Sequence, residues 1–214
     1  MRVVSAVGAR PQVVTLAPVS RALAEVDVDH VIVHTGQHHD ARMSEVFFAD
    51  LGIPAPDPNL EVGSGSHGVQ TGAMLSVLAP VIVDLQPDWV LVYGDTNSTL
   101  AGALAAVKQH QRVTHLEAGL RSFNRAMPDE HDRVLTGHAA DLLLAPTRTA
   151  MQHLADEGLA DRSILVGDVM ADVCQQVAAS IDSLSPACAG MLGGISLTPP
   201  TCTSGAEFKL LLRS

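Results

Sequence analysis

The stretch from Asp88 to Arg121, D-W-V-L-V-Y-G-D-T-N-S-T-L-A-G-A-L-A-A-V-K-Q-H-Q-R-V-T-H-L-E-A-G-L-R, restricts the fold more than any other part of the chain. Trp89 to Tyr93 is a short apolar run, the pattern of a buried strand. Gly94-Asp95-Thr96-Asn97-Ser98 breaks that run and supplies side chains suited to cap a helix. Leu100 to Lys108 is alanine-rich, with Leu100, Leu104 and Val107 on one helical face. Val113 to Leu116 is apolar again, and Glu117-Ala118-Gly119 stops it. Two carboxylates, Asp95 and Glu117, therefore stand just past the ends of core strands. A carboxylate there is poorly placed for packing and well placed for chemistry.

The same alternation recurs along the chain. Strands are expected at Arg2 to Val7, His30 to His34, Leu142 to Ala145 and Ile164 to Val166. Helices are expected at Pro11 to Val26, about Asp40 to Leu51, Val69 to Leu85, Asp129 to Ala140 and Thr147 to Gly158. Alternating strands and helices imply right-handed βαβ units and an α/β fold with a doubly wound parallel sheet. Aromatic residues make up only 3% of the chain, so Val, Leu, Ile and Ala must fill the core, which suits a sheet buried on both faces. Ligands of such sheets bind outside the carboxyl ends of the strands. Arg10, His38, Asp95, Glu117 and Arg121 all fall on that rim. The Pro-, Gly-, Asp- and Ser-rich segment Gly52 to Gly68 lacks periodicity and is expected on the surface as a mobile flap. After about Asp172 charged residues become sparse and Ser, Pro and small residues dominate. Residues 1–172 therefore read as one Rossmann-like domain, and 173–214 as a linker and tail or the start of something cut short.

A net charge of −10 argues against nucleic acid or an anionic membrane as the main partner. An anionic ligand would have to be held locally, by helix N-termini and a few arginines. The N-terminal segment is too short for a signal peptide, and no apolar run reaches membrane-spanning length; the longest, Ala73 to Leu85, contains Pro80 and Asp84. Cys174, Cys188 and Cys202 are odd in number and lack C-x-x-C spacing, as expected of reduced thiols in a cytoplasmic protein. Gly63 to Gly68 matches G-x-G-x-x-G, but a proline-rich loop precedes it where a dinucleotide site needs a strand, so a loop is the better reading and no nicotinamide cofactor is expected. His34, His38, His39 and Asp40 do not make a convincing metal site, because adjacent histidines cannot easily face one ion. Arg10 pairs a positive charge with the free N–H groups of a helix start, a phosphate-type arrangement, or is a surface arginine. Asp129 and Glu130 either complement a helix dipole or place Glu130 as a third carboxylate on the rim. Asp95, Glu117 and Glu130 together would suit reversible proton transfer at carbon or at a leaving-group oxygen.

These residues resemble the non-hydrolysing UDP-N-acetylglucosamine 2-epimerase family. The resemblance covers about Met1 to Val173 and rests on G-A-R-P at 8–11, T-G-Q-H at 35–38, G-S-G-S-H at 63–67, V-Y-G-D-T-N-S-T at 92–99, H-L-E-A-G-L-R at 115–121, P-D-E-H-D-R at 128–133 and L-V-G-D-V-M-A-D at 165–172. It implies the N-terminal half of a GT-B arrangement, in which two Rossmann-like domains enclose the active site. It implies interconversion of UDP-GlcNAc and UDP-ManNAc, by elimination of UDP to a 2-acetamidoglucal and re-addition with C2 inverted. By the resemblance Asp95, Glu117 and Glu130 are the acid/base carboxylates, while Arg10, Gln37, His38 and Arg121 contact substrate. No metal or cofactor is implied, and a family-like homodimer is an option. Gln12 and Thr15 stand where many members carry Glu and Lys, and Asp129 and Asp132 replace a common Glu and Asn. Nothing after about Asp172 resembles the family's second domain, which holds most of the UDP site, so weak or absent turnover is expected of this chain alone. A hydrolysing epimerase that releases UDP and ManNAc, a non-catalytic sugar-nucleotide-binding remnant and a GT-B glycosyltransferase half-domain are the competing readings.

Overall fold

Six short apolar runs form six strands, and in the computed structural model, which describes residues 1–37, 48–49 and 51–184, every pairing between them is parallel. The strands are β1 (Arg2–Val7), β2 (Asp29–His34), β3 (Trp89–Tyr93), β4 (Arg112–Leu116), β5 (Leu142–Ala145) and β6 (Ser163–Leu165), in the order β2-β1-β3-β4-β5-β6. Register places Val3 beside both His30 and Trp89, and Leu143 beside both His115 and Ser163. The helices are α1 (Arg10–Ala24), α2 (His67–Leu85), α3 (Asn97–Lys108), α4 (Pro128–Ala139), α5 (Arg148–Asp156) and α6 (Val169–Leu184). This is the doubly wound, Rossmann-like sheet expected from the alternation, with element ends shifted by at most three residues. The helix expected at about Asp40 to Leu51 falls mostly outside the described residues.

Alternate strand residues feed two apolar layers. On one face Val3, Val7, Leu91, Tyr93, Leu116 and Leu144 meet Val13, Leu16 and Leu23 of α1 and Val169 of α6. On the other, Val4, Ala6, Val90, Val92, Val113 and Leu143 meet Met74, Leu78 and Ile82 of α2, Ala101 and Ala105 of α3, and Leu154 of α5. The strand order reverses between β1 and β3. Right-handed crossovers then put α1 on one face and α2, α3 and α5 on the other. Pro11 in the first turn of α1 supplies a preset φ where no N–H is needed. Thr96 caps α3 by accepting from the Thr99 N–H.

Three expectations change in the folded chain. The segment after residue 52 is on the surface, but it is no free flap, because its backbone pairs along the outer edge of β2. The His34 N–H donates to Pro58 O at 3.0 Å, and the N–H groups of Leu60, Val62 and Gly63 donate to His34, Thr35 and Gly36 carbonyls at 2.8–3.0 Å. An edge strand's unpaired groups attract such a partner whatever the side-chain pattern. Second, α2 runs through Pro80 and Asp84 as the expected Val69–Leu85 helix does, but by length and composition alone its 19 residues are apolar enough to cross a membrane, where no run of that length was expected. In the fold Gln70, Met74, Leu78 and Ile82, spaced by four, are buried against the domain. Third, α6 runs from Val169 to Leu184, so the change of composition near residue 172 falls inside a helix, with Val173 buried.

The one-sided packing of α2 has a measurable consequence. Leu78→Ala, at a site 1% exposed, is expected to lower unfolding free energy by about 2–5 kcal/mol in urea titrations. Leu135→Ala, 53% exposed on α4, is expected to change it by no more than about 0.5 kcal/mol.

Candidate active site

The crevice of a doubly wound sheet lies where the strand order reverses, between the carboxyl ends of β1 and β3. Close backbone packing shapes it. A Cβ on Gly8 would come 2.0 Å from Thr35 Oγ1 and 2.1 Å from Ser98 Oγ, so only glycine lets the turns after β1, β2 and β3 meet. The Thr35 and Ser98 hydroxyl oxygens are 2.8 Å apart across this junction. Gln12 locks it from within: Oε1 accepts from the Gly8 and Ala9 N–H groups at 2.8 and 3.0 Å, and Nε2 donates to Tyr93 O and Thr99 Oγ1 at 2.8 and 2.9 Å. The free N–H groups expected beside Arg10 are therefore, at Gly8 and Ala9, already occupied by Gln12. Arg10 itself is exposed at the start of α1. Gln37 is held at the rim, its Oε1 accepting from Ser98 Oγ at 2.6 Å and Ser98 N at 3.3 Å. His38 lies outside the described residues.

The three expected carboxylates gather on the adjoining part of the rim, in three different environments. Glu117 follows β4 with φ +63°, a left-handed conformation that non-glycine residues adopt at a cost and that often marks a functional position. It lies against the turn after β3, since a Cβ on Gly94 would come 3.3 Å from Glu117 Oε2. Among the described residues no hydrogen bond or ion pair engages its carboxylate. Burial, then the nearby charges of Asp168 and Asp95, push its pKa up to about 7. Asp95 is half-exposed and ion-paired with Arg133. Glu130 is buried and held by donors on every side: Ser122 N at 2.9 Å, Ser122 Oγ at 3.0 Å, Phe123 N at 2.9 Å and an Arg133 nitrogen at 3.2 Å. Burial works to raise its pKa, but these hydrogen bonds and Arg133 outweigh it and leave the value below the ordinary carboxylate range. One carboxyl is thus ready to carry a proton near neutrality, and another is fixed as an anion. That separation is what acid–base chemistry on a single site requires.

Arg121 does not face the rim openly. Its guanidinium, with the side chain 1% exposed, forms a two-pronged pair with Glu157 at 2.7 Å per contact and also donates to Leu120 O. It ties the loop after β4 to the end of α5. Four side chains of the site were not singled out from the sequence. Arg133 joins Asp95 and Glu130, and the i, i+3 spacing of Glu130 and Arg133 on one helix was an available signal. Asp168, in the turn after β6, adds charge beside Glu117 and accepts from Met170 N. His115 is fully buried and donates from Nε2 to Gly94 O at 2.7 Å. Burial lowers its pKa to about 4 against the pull of that hydrogen bond, so the ring is neutral. Asp132 is buried with Oδ2 unpartnered among the described residues, and burial followed by Asp129 raises its pKa to about 6. Asp168, His115 and Asp132 fall within the motifs that carry the resemblance, but their surroundings were not legible there, because each acquires its neighbours only when separate elements meet. Among the described residues no group of three or more His, Cys, Asp or Glu side chains is arranged to hold a metal ion.

Residues 21–191 match the family model for UDP-N-acetylglucosamine 2-epimerase. A UDP-N-acetylglucosamine 2-epimerase homolog of Methanococcus maripaludis is 52% identical over 172 residues, covering 80% of this chain and 48% of that protein. The UDP-2,3-diacetamido-2,3-dideoxy-D-glucuronate 2-epimerase of Pseudomonas aeruginosa is also 52% identical, over 176 residues, with 80% and 50% covered. The crystal structure of Methanocaldococcus jannaschii UDP-GlcNAc 2-epimerase in complex with UDP-GlcNAc and UDP superposes with a TM-score of 0.83 at 42% identity, covering 89% of this chain and 53% of that one. The chain spans about half the length of the relatives it matches. By the extent of the model match and the agreement of fold, the chain belongs to the UDP-N-acetylglucosamine 2-epimerase family, whose members are isomerases.

Proposed function

We propose that this chain forms the sugar-side wall of a nucleotide-sugar 2-epimerase acting on UDP-GlcNAc and UDP-ManNAc, and that it turns over weakly or not at all by itself. The observation that carries the reading is Glu117: a carboxyl without a hydrogen-bond or ion-pair partner among the described residues, in a left-handed backbone at the switch-point rim, pushed up to about 7 by burial and by Asp168 and Asp95. Such a group is half protonated near neutrality and can both take and return a proton. In this reading the C2 hydrogen leaves as a proton to a rim carboxylate while the C1–O bond to UDP breaks, giving the 2-acetamidoglucal. Return of a proton to the opposite face of C2 and of UDP to C1 completes the inversion. Glu117 is the proton carrier, Asp95 its charged neighbour, and Glu130 the anion fixed between the loop after β4 and Arg133. Arg10, Gln37, His38 and Arg121 remain the substrate-side candidates, with Arg121 acting through the loop it anchors.

The competing readings stay distinguishable by product. A hydrolysing enzyme would release UDP and free ManNAc, and a remnant would bind without turnover. A second substrate is favoured by one specific finding, the 52% identity to the Pseudomonas aeruginosa epimerase of a diacetamido glucuronate, equal to that of the Methanococcus homolog. Pairing of two copies and a cytoplasmic location belong to the same proposal. The first is supported by the apolar outer face of α2, where Val69 and Val83 are 70% and 41% exposed, and the second by the exposed free thiol of Cys174. The acidic charge supports a partner other than nucleic acid or an anionic membrane.

A chimera of residues 1–184 with the second half of the Methanococcus homolog is expected to incorporate solvent deuterium at C2 of UDP-GlcNAc, read by proton NMR. Glu117→Gln in it should lower the rate by about 10²–10⁴-fold; an unchanged rate would remove Glu117 from the reaction. Running the diacetamido glucuronate in competition decides between substrates. The raised pKa of Glu117 also predicts a pH dependence of stability. The folded chain keeps a proton that the unfolded chain has lost above the ordinary value of 4.5, so this contribution is complete below about 4.5 and lost as pH rises through about 7. Glu117→Gln should therefore gain stability relative to the parent between pH 5 and 8 in urea unfolding. Light scattering of the 214-residue chain is expected to report a dimer, and Val83→Asp a monomer.

A further inference from the structure

We propose that Arg133 is a positioning residue that sets the geometry of the carboxylate site by tying three separate rim segments to one guanidinium. It projects from α4, one turn after Glu130, with its side chain only 13% exposed. One terminal nitrogen pairs with Asp95 in the turn after β3. The other lies 3.2 Å from Glu130 Oε2. That same oxygen takes the Ser122 N–H and hydroxyl, and Oε1 takes the Phe123 N–H, so Arg133 reaches the loop after β4 through Glu130.

The arrangement needs a fork. A planar guanidinium presents two donors at fixed separation to two carboxylates, whereas a lysine ammonium is a point charge that serves one well. Without the cation, Asp95 loses its partner and Glu130 its fourth donor. Two anions that share one guanidinium would then face each other unpaired, and one of them, Asp95, is a charged neighbour of Glu117. Like charges left unpaired in a partly buried site repel and move apart. Displacements of about 1 Å at a reacting centre cost about a hundredfold in rate. Packing alone does not explain the residue, since an apolar stem of equal length would fill the space without contacting either carboxylate.

The assignment rests on the epimerase reading for its effect on rate, but not for its effect on the site, and the test separates the two. In the 214-residue chain, Arg133→Met keeps the stem and removes the charge. Carbon-13 NMR of labelled carboxyls should then show Glu130 titrating at higher pH than in the parent, and amide hydrogens of Ser122 and Phe123 should exchange about tenfold faster. Arg133→Lys should fall between, and it also serves if the Met variant does not fold. Unchanged Glu130 titration and unchanged exchange in either variant would overturn the proposal, whether or not any substrate turns over. In the chimera described above, kcat should fall about 10–100-fold in Arg133→Met with KM changed less than threefold, and Arg133→Lys should recover part of it. Faster exchange with kcat and pH–rate profile equal to the parent's would show a purely structural brace and would equally overturn it. An inactive parent chimera would remove the epimerase reading instead, leaving the titration and exchange results to decide.

Discussion

The turn after β1 approaches the turns after β2 and β3 so closely that residue 8 has room for no side chain. Everything at the rim depends on that contact. It brings the Thr35 and Ser98 hydroxyls within 2.8 Å, and it lets the Gln12 amide bridge the starts of α1 and α3 by hydrogen bonds in both directions. A glutamate at residue 12 would keep the two acceptor contacts but would have no proton to give to Tyr93 O. The glutamine therefore matches the acceptor carbonyl below it and the donor N–H groups above it. Because the switch-point turns are welded together, the carboxylates beyond them start from a rigid base.

On that base three acidic side chains sit in different surroundings. Glu117 is buried, with Asp168 and Asp95 of its own sign nearby, so its proton is held to about 7. Glu130 has donors on both oxygens and stays ionised. Asp95 shares Arg133 with Glu130 and supplies part of the field that loads Glu117. His115 supports the turn from beneath as a neutral ring, because burial and two arginines leave no room for another positive charge. Acidity is thus distributed: burial raises one carboxyl toward neutrality, and hydrogen bonds hold another as an anion.

Much of the fold was legible because parallel strands buried on both faces read as unbroken apolar runs. Trp89–Tyr93 and Leu142–Ala145 have the ends their composition suggested. The pairing of residues 58–63 with β2 was not legible. Backbone hydrogen bonds carry it, and its Pro- and Gly-rich side chains show no alternation. The course of α2 through Pro80 was legible, because the spacing of Met74, Leu78 and Ile82 marks a buried helical face that outweighs a local breaker.

By itself the sequence determined the alternation of strands and helices, the parallel sheet, and the placing of Asp95 and Glu117 just past strand ends, because hydrophobic period and turn chemistry are local properties. Only the tertiary structure decided which carboxylate carries a proton. That choice depends on burial and on Asp168, Ser122, Phe123 and Arg133, which come from the turn after β6, the loop after β4 and helix α4. The same reason turned Arg121 inward to Glu157, 36 residues away along the chain. A pKa or an ion pair is a property of neighbours in space, and those neighbours exist only once the sheet has ordered its rim.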